Sequence, residues 1–192
     1  MAEGMLRRLL TDNGAHADVG SAGLLRGGAP PTRHAIAVMA DRGVDISRHV
    51  SRTIDPEVVR ATPLIIGMAR DHVREAVGYG ADIEHSFTLK ELVRRGERTG
   101  PRRRDETVFD WLDRVAAGRR SADPMGEDHD DDITDPVGRS RAHYEATARE
   151  LHVLLRRLVE LMIGDPARSA SYASTSPTRP VAGETGYATG GA

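Results

Sequence analysis

Leu64-Ile65-Ile66-Gly67-Met68 is a continuous apolar run of strand length. A strand that lacks alternating polar positions is typical of a sheet that is covered on both faces. Helix-start signals stand on both sides of this run. Asp55-Pro56 combines a capping carboxylate with proline at the first helical position, and Thr88 with Glu91 forms a capping box. Because helices and short apolar strands alternate along the chain, the sequence predicts an α/β domain of three layers, αβα, with a small and mainly parallel sheet.

Periodicity and turn residues predict the remaining elements. The pattern indicates helices over about 1–12, 32–42, 71–77 and 105–118, and strands over 17–23 and 82–86. Trp111 and Phe109 are expected in the core. The most regular element is a final helix over about 139–163, because its apolar residues step by four and three positions. They form one buried stripe: Tyr144, Ala148, Leu151, Leu155, Leu158 and Met162.

The apolar content divides the chain into two parts. Residues 1–163 form the predicted domain. Residues 164–192 consist mainly of Ser, Thr, Pro, Gly and Ala. Such a segment cannot bury enough apolar surface to offset the entropy that ordering would cost. We therefore expect residues 164–192 to be a disordered tail.

Composition and charge exclude several classes of function. The net charge of −2 gives no general attraction to nucleic acid or to a membrane surface, and no apolar run approaches the roughly 20 residues of a membrane span. The chain contains no cysteine, which excludes disulfides, thiolate metal sites and a thiol nucleophile within these residues. The acidic run 127–132 lacks the glycine and the closing glutamate of a calcium loop, so it is expected to be solvated. We expect a cytoplasmic protein that binds neither nucleic acid nor membranes.

Several segments, taken in order, resemble the low-molecular-weight protein tyrosine phosphatases. Residues 1–6 resemble the helix that directly follows the family's phosphate-binding loop, and Val19-Gly20-Ser21-Ala22-Gly23 resembles its second strand with a Ser-Ala-Gly turn. The other matching segments, in chain order, are 35–39, 43–49 with Arg52, the apolar run 64–68, and Asp135-Pro136 of the acid loop with the long helix after it. The resemblance covers about residues 1–163, and the ordered set is more specific than any one of its motifs.

Departures from the family pattern concern mainly the phosphate-binding loop. The resemblance implies a strand and a loop with two cysteines, an arginine and a serine directly before a helix such as 1–12. The chain begins at this helix, so we expect a domain truncated at its N-terminus, without the first, central strand, and marginally stable for that reason. Residues 79–130 form an irregular insertion relative to the family, and Ala69 replaces the usual aspartate after Met68. Val137 replaces the aromatic residue that commonly follows Asp-Pro, which leaves the preference for phosphotyrosine open.

The resemblance implies a phosphatase of phosphorylated protein substrates. The family reaction proceeds through a cysteinyl-phosphate, needs no metal or organic cofactor, and uses an aspartic acid to protonate the leaving oxygen. Asp135 is the candidate for that general acid, and the alternative is one more carboxylate of an acidic loop. Ser21 and His49 resemble residues that brace the phosphate loop, and the alternatives are a turn serine and a surface histidine. Because the nucleophile is absent, we expect the chain as given to be inactive.

The origin of the missing segment and the exact function stay open. Either translation starts upstream of Met1 and the protein carries the loop, or the gene has lost it. In the second case the product would be a non-catalytic phosphoprotein-binding or regulatory module. An arsenate reductase or an arginine phosphatase on the same scaffold is a third reading. The in-frame codons upstream of Met1 would separate the first two.

Overall fold

The computed structural model describes residues 1–119 and 129–163. In chain order the elements are α1 (Ala2–Asp12), α2 (Arg33–Ala40), α3 (Pro56–Arg60), β1 (Ile65–Gly67), α4 (Arg70–Gly78), β2 (Ser86–Thr88), α5 (Leu89–Thr99), α6 (Val108–Ala116) and α7 (Arg141–Ile163). Expected side chains cap two of the helices. Asp55 accepts hydrogen bonds from the amides of Glu57 and Val58 at the start of α3, and Thr88 accepts one from Glu91 at the start of α5. Helices combined with a parallel sheet confirm the predicted α/β class.

β1 and β2 form a parallel two-stranded sheet in which Ile66 stands opposite Phe87. β2 begins at Ser86, so the strand predicted over 82–86 is placed too early. Asp82 causes this shift. Its carbonyl oxygen accepts a hydrogen bond from Ser86 Oγ at 2.6 Å, and its Oδ1 accepts one from the amide of Glu84 at 2.9 Å. Residues 82–85 therefore form a turn, and the strand starts after it.

The strand predicted over 17–23 is wrong. Among the described residues, Gly23 alone of this segment forms a bridge, which is parallel and pairs with Thr53. A side chain takes the place of a neighbouring strand, because Arg7 Nε donates to the carbonyl oxygen of Val19 at 2.9 Å. The segment consequently lies on α1 rather than in a hydrogen-bonded ladder.

Helix α7 forms the centre of the core and packs against α1, α2 and α5. Its predicted stripe is buried from Tyr144 to Leu158, and Met162 is partly buried. Trp111 of α6 is fully buried, and its indole N–H donates to the carbonyl oxygen of Gly100 at 2.9 Å. Phe109 is 43% exposed. Residues two apart on a helix point to different faces, so the core prediction is confirmed for Trp111 and wrong for Phe109.

The segment predicted to be an insertion contributes to this core. Residues 79–119 contain β2, α5 and α6, whose apolar side chains pack with those of α7. Residues 120–128, which include the first part of the acidic run, lie outside the described residues, and so does the predicted tail at 164–192. Within residues 1–119 and 129–163, no helix is long and apolar enough to cross a membrane.

Candidate active site

Glu3, in the first turn of α1, is the centre of a polar cluster. Ser21 Oγ donates a hydrogen bond to Glu3 Oε2. His49 Nδ1 lies 3.8 Å from the same oxygen, and Arg7 Nη2 lies 3.0 Å from Glu3 Oε1. The Glu3 side chain is 14% exposed, so water screens these contacts only in part. The two predicted bracing residues, Ser21 and His49, therefore meet at one carboxylate.

Local chain geometry explains why an acidic residue stands here. The free amides in the first turn of a helix carry partial positive charge, which favours a carboxylate such as that of Glu3. Burial lowers the pKa of the Met1 amino group, while the Glu3 carboxylate opposes this shift. His49 comes from the segment after α2, where Asp45 Oδ1 accepts a hydrogen bond from the amide of Ser47 at 2.8 Å. That bond lowers the pKa of Asp45, so its charged form stabilises the turn that presents His49.

Asp135 lies in the segment that leads into α7, and it is exposed. Its Oδ1 accepts a hydrogen bond from the amide of Val137 at 3.0 Å, which fixes the local turn. Two residues earlier, the amide of Ile133 donates to the carbonyl oxygen of Met68 at 2.8 Å. Because Met68 directly follows β1, this contact holds Asp135 near the carboxyl end of a parallel strand. Sites of parallel sheets usually lie at that end.

One cavity of about 1040 Å³ connects these features. Glu3, Ser21, His49 and Asp135 all line it, although they come from four separate parts of the chain. Its apolar lining includes Gly4, Ala35, Val44, Met68, Ile133 and Leu151. A large cavity with apolar walls and a few converging polar groups is the usual form of a small-molecule site. The structure thus brings the three predicted site residues to one cavity.

The sequence predicted neither the role of Glu3 nor the burial of one residue of the acidic run 127–132. The preference of acidic residues for a helix N-terminus was the available signal for Glu3. Asp131 is buried and accepts hydrogen bonds from Arg70 and Arg94, so the expectation of a solvated run is wrong at this position. Within residues 1–119 and 129–163, no group of three His, Asp or Glu side chains is arranged to hold a metal ion.

Comparison with known families identifies the class of protein. The sequence model described as low molecular weight phosphotyrosine protein phosphatase matches residues 1–103. The chain belongs to this family, which confirms the resemblance inferred from its motifs. Family membership supports a hydrolase that acts as a phosphatase. No curated protein matches the chain.

Solved structures show the same fold. The low molecular weight protein tyrosine phosphatase from T. tengcongensis is 26% identical, with 83% of this chain and 87% of that chain covered and a TM-score of 0.61. The low molecular weight protein tyrosine phosphatase from Bacillus subtilis is 25% identical, with 85% and 88% covered and a TM-score of 0.59. The YwlE arginine phosphatase from Geobacillus stearothermophilus is 20% identical, with 93% and 92% covered and a TM-score of 0.57. At 20% identity, the similarity to this arginine phosphatase concerns the fold alone.

Proposed function

We propose that the cavity is the substrate site of a phosphatase of phosphorylated protein side chains and that Asp135 is its general acid. The observation that carries this proposal is the convergence of Ser21, His49 and Asp135 on one cavity beside the N-terminal end of α1. Helix N-termini bind phosphate oxygens well, because their free amides point at the anion. The site therefore combines a place for a phosphate group with an exposed carboxyl group that lines the same cavity.

The proposed chemistry follows the family reaction. A cysteine thiolate forms a bond to phosphorus, the bond from phosphorus to the leaving oxygen breaks, and Asp135 gives its proton to that oxygen. Asp135 then accepts a proton from the water that attacks phosphorus, the bond from phosphorus to sulfur breaks to restore the thiolate, and inorganic phosphate leaves. The turn closed by the Val137 amide holds the Asp135 carboxyl group in one orientation for both transfers.

Ser21 and His49 are positioning residues in this proposal. Both contact the carboxylate of Glu3, and Glu3 is part of the first turn of α1. They would therefore orient the end of the helix that binds the phosphate group. Arg52 supports Ser21 in turn, because its Nη2 donates to the Ser21 carbonyl oxygen at 3.5 Å.

We further propose that these 192 residues alone hydrolyse no phosphate ester. The chain contains no cysteine, and the remaining side chains supply an acid without a thiolate. Purified protein of this sequence should therefore turn over p-nitrophenyl phosphate no faster than buffer without protein does. Turnover by the 192-residue chain above that buffer rate would contradict this part of the proposal.

The role of Asp135 is tested in a cysteine-containing form of the protein. The codons upstream of Met1 are read in frame, and any product that carries a cysteine loop is assayed with phenyl phosphate and with p-nitrophenyl phosphate. Asp135→Asn should reduce kcat for phenyl phosphate by about 10²- to 10⁴-fold, because its phenolate leaves poorly without a proton. The loss should be much smaller for p-nitrophenyl phosphate, whose leaving group needs little protonation.

Asp71→Asn is the matched control in that assay. Asp71 lies at the start of α4 and its carboxylate is exposed, so the variant should leave kcat unchanged for both substrates. Equal losses for both substrates in Asp135→Asn would show that Asp135 is not the general acid. If the upstream codons encode no cysteine, binding of a phosphopeptide without turnover would favour the non-catalytic binding module instead.

Val137 favours a second candidate within the family. It is 65% exposed and lines the cavity two residues after Asp135, where an aromatic ring is usual. An aliphatic side chain offers less stacking to a phenol ring, so the substrate need not be phosphotyrosine. A phosphorylated arginine is the alternative, by analogy with the structural relative that is an arginine phosphatase. The ratio of kcat/KM for phosphoarginine and phosphotyrosine peptides would decide between them.

A further inference from the structure

Two buried carboxylates lie on either side of the Arg70 guanidinium group. Arg70 Nη1 is 3.4 Å from Glu91 Oε2, and Arg70 Nη2 is 3.2 Å from Asp131 Oδ2. All three side chains are at most 8% exposed. Glu91 belongs to α5, and Asp131 belongs to the segment that precedes Asp135. Arg70 thus links the helical layer to the segment that carries the candidate acid.

Each carboxylate also has an arginine of its own. Arg119 donates to Glu91 through Nε at 2.9 Å and through Nη2 at 3.0 Å. Arg94 donates to both oxygens of Asp131. Loss of the Arg70 side chain would therefore leave neither carboxylate without a cation. What would be lost is the connection between the two pairs.

The backbone of Arg70 holds the same segment. Its amide donates to Asp132 Oδ1 at 2.7 Å, and the neighbouring carbonyl oxygen of Met68 accepts from Ile133. α5 adds a third contact, because Lys90 Nζ donates to the carbonyl oxygen of Asp132 at 2.7 Å. Residues 131–133, immediately before Asp135, are therefore held by hydrogen bonds and ion pairs to the start of α4 and to the start of α5.

We propose that Arg70 is a positioning residue that holds the Asp135 segment in place by joining Asp131 to Glu91. The inference rests on the proposed function in one respect, the role of Asp135 as the reacting carboxyl group. Arg70 itself is absent from the wall of the cavity. Its effect on the candidate acid would pass through Asp131, Asp132 and the Ile133–Met68 hydrogen bond.

Amide hydrogen exchange in the full 192-residue chain tests the proposal without any need for turnover. Exchange is compared at Ile133 and Val137, which report on the segment, and at Leu158, which lies in the middle of α7. Arg70→Met should accelerate exchange at Ile133 and Val137 at least about tenfold relative to Leu158, because local opening exposes only the amides of the released segment. Arg74→Met is the matched control, since Arg74 is on the same helix and forms its ion pair with the exposed Asp71.

Arg70→Lys separates a bridge from a simple positive charge. Lysine keeps the charge and presents one nitrogen where arginine presents two, so it should release the segment as Arg70→Met does. Full protection of Ile133 and Val137 in Arg70→Lys would overturn the bridging proposal. Unchanged exchange in Arg70→Met, or equal acceleration at all three amides, would overturn it as well. If Arg70→Met does not fold, Asp131→Asn is measured in the same way and against the same criteria.

Different experiments would disprove the role of Asp135 as the acid and the role of Arg70 as its positioning residue. If Asp135→Asn shows no loss that depends on the leaving group, Asp135 is not the acid, and the exchange result still establishes how the segment is held. If the exchange result is negative while Asp135→Asn loses activity toward phenyl phosphate, the acid is confirmed and Arg70 is excluded as its positioning residue.

Discussion

The amide of Ile133 donates a hydrogen bond of 2.8 Å to the carbonyl oxygen of Met68, and so joins the segment before α7 to the residue that follows β1. Apart from proline at position 133, which lacks the amide proton, no substitution removes this bond directly, because both partners are backbone groups. Its persistence depends on the side chains that hold the two segments together, among them Asp132, which accepts from the amide of Arg70. The place of Asp135 is therefore set in part by residues outside the cavity that it lines, such as Arg70 and Asp132.

Glu3→Gln should destabilise the fold by about 1–2 kcal/mol, because a partly buried carboxylate that accepts a hydrogen bond and pairs with a cation is worth more than a neutral amide. Glutamine keeps the shape of the side chain and one oxygen that can accept from Ser21, yet it loses the negative charge that pairs with Arg7. The free energy of unfolding in urea, measured at neutral pH, checks this value.

Glu57→Gln is the control for Glu3→Gln. Glu57 also stands in the first turn of a helix, but it is exposed. Glu57→Gln therefore removes the interaction of the charged side chain with the helix dipole and changes no buried contact. Equal effects of the two substitutions would show that the cluster around Glu3 contributes nothing beyond that dipole interaction.

The stability of the fold should fall as the pH drops below about 4, in part because of Asp131. Hydrogen bonds from Arg94 hold the pKa of Asp131 below its ordinary value, with a further lowering by the charges of Arg94, Arg70 and Lys90, while burial opposes the shift. A lowered pKa in the folded state means that the unfolded chain binds more protons in acid. The stabilisation that ionised Asp131 provides is therefore complete above the ordinary carboxyl pKa of about 3.9. It is lost as the pH falls through the pKa that Asp131 has in the folded protein.

Urea unfolding between pH 7 and pH 3 measures this dependence. Asp131→Asn should be less stable at pH 7 and should lose less stability than the wild type on acidification. A slope remains in the variant because hydrogen bonds from Arg114 and the Arg103 amide also lower the pKa of Glu106. An unchanged pH profile in Asp131→Asn would mean that protonation of Asp131 does not contribute to the loss of stability in acid.

Local signals were sufficient to predict most of the helices. The Asp55-Pro56 start of α3 and the capping box at Thr88 depend on residues within one helical turn. The stripe of α7 is likewise a property of a single helix. These features could be predicted because their physical cause lies within a few neighbouring residues.

Features that depend on distant partners could not be predicted. Asp131 resembles the other residues of an acidic run, and its burial is possible only because Arg70 and Arg94 supply cations from other elements. The sequence of 17–23 predicts a short strand that runs into glycine, but Arg7 binds its backbone instead of a neighbouring strand. Ser21 and His49 were singled out by resemblance alone, while Glu3, which connects them, required the folded chain.

Trp111 should report on the cooperativity of the whole described domain. It is the only tryptophan of the chain and is fully buried, and its ring lies against the backbone of α5 at Gly96. Its emission should be blue-shifted in the native protein and weakly quenched by acrylamide. On urea unfolding, its red shift should coincide with the loss of far-ultraviolet circular dichroism, because coincident transitions indicate one cooperative unit. Two separate transitions would show that residues 79–119 unfold independently of α7.

Two glycines in helices should respond to alanine in opposite directions. A Cβ atom at Gly96 of α5 would lie 3.0 Å from Trp111 Cζ2 and 3.1 Å from Leu161 Cδ1, and both of those side chains are buried. Neither the Trp111 ring nor the Leu161 side chain can move without disturbing the core, so Gly96→Ala should cost about 1–3 kcal/mol.

Gly78, the last residue of α4, has no heavy atom of this kind within 4 Å of its Cβ position and no positive φ. Gly78→Ala should therefore stabilise the protein by roughly 0.5–1 kcal/mol, through the reduced entropy of the unfolded chain. Urea unfolding of both variants measures the difference, and stabilisation by Gly96→Ala would show that the close packing of α5, α6 and α7 is not as described.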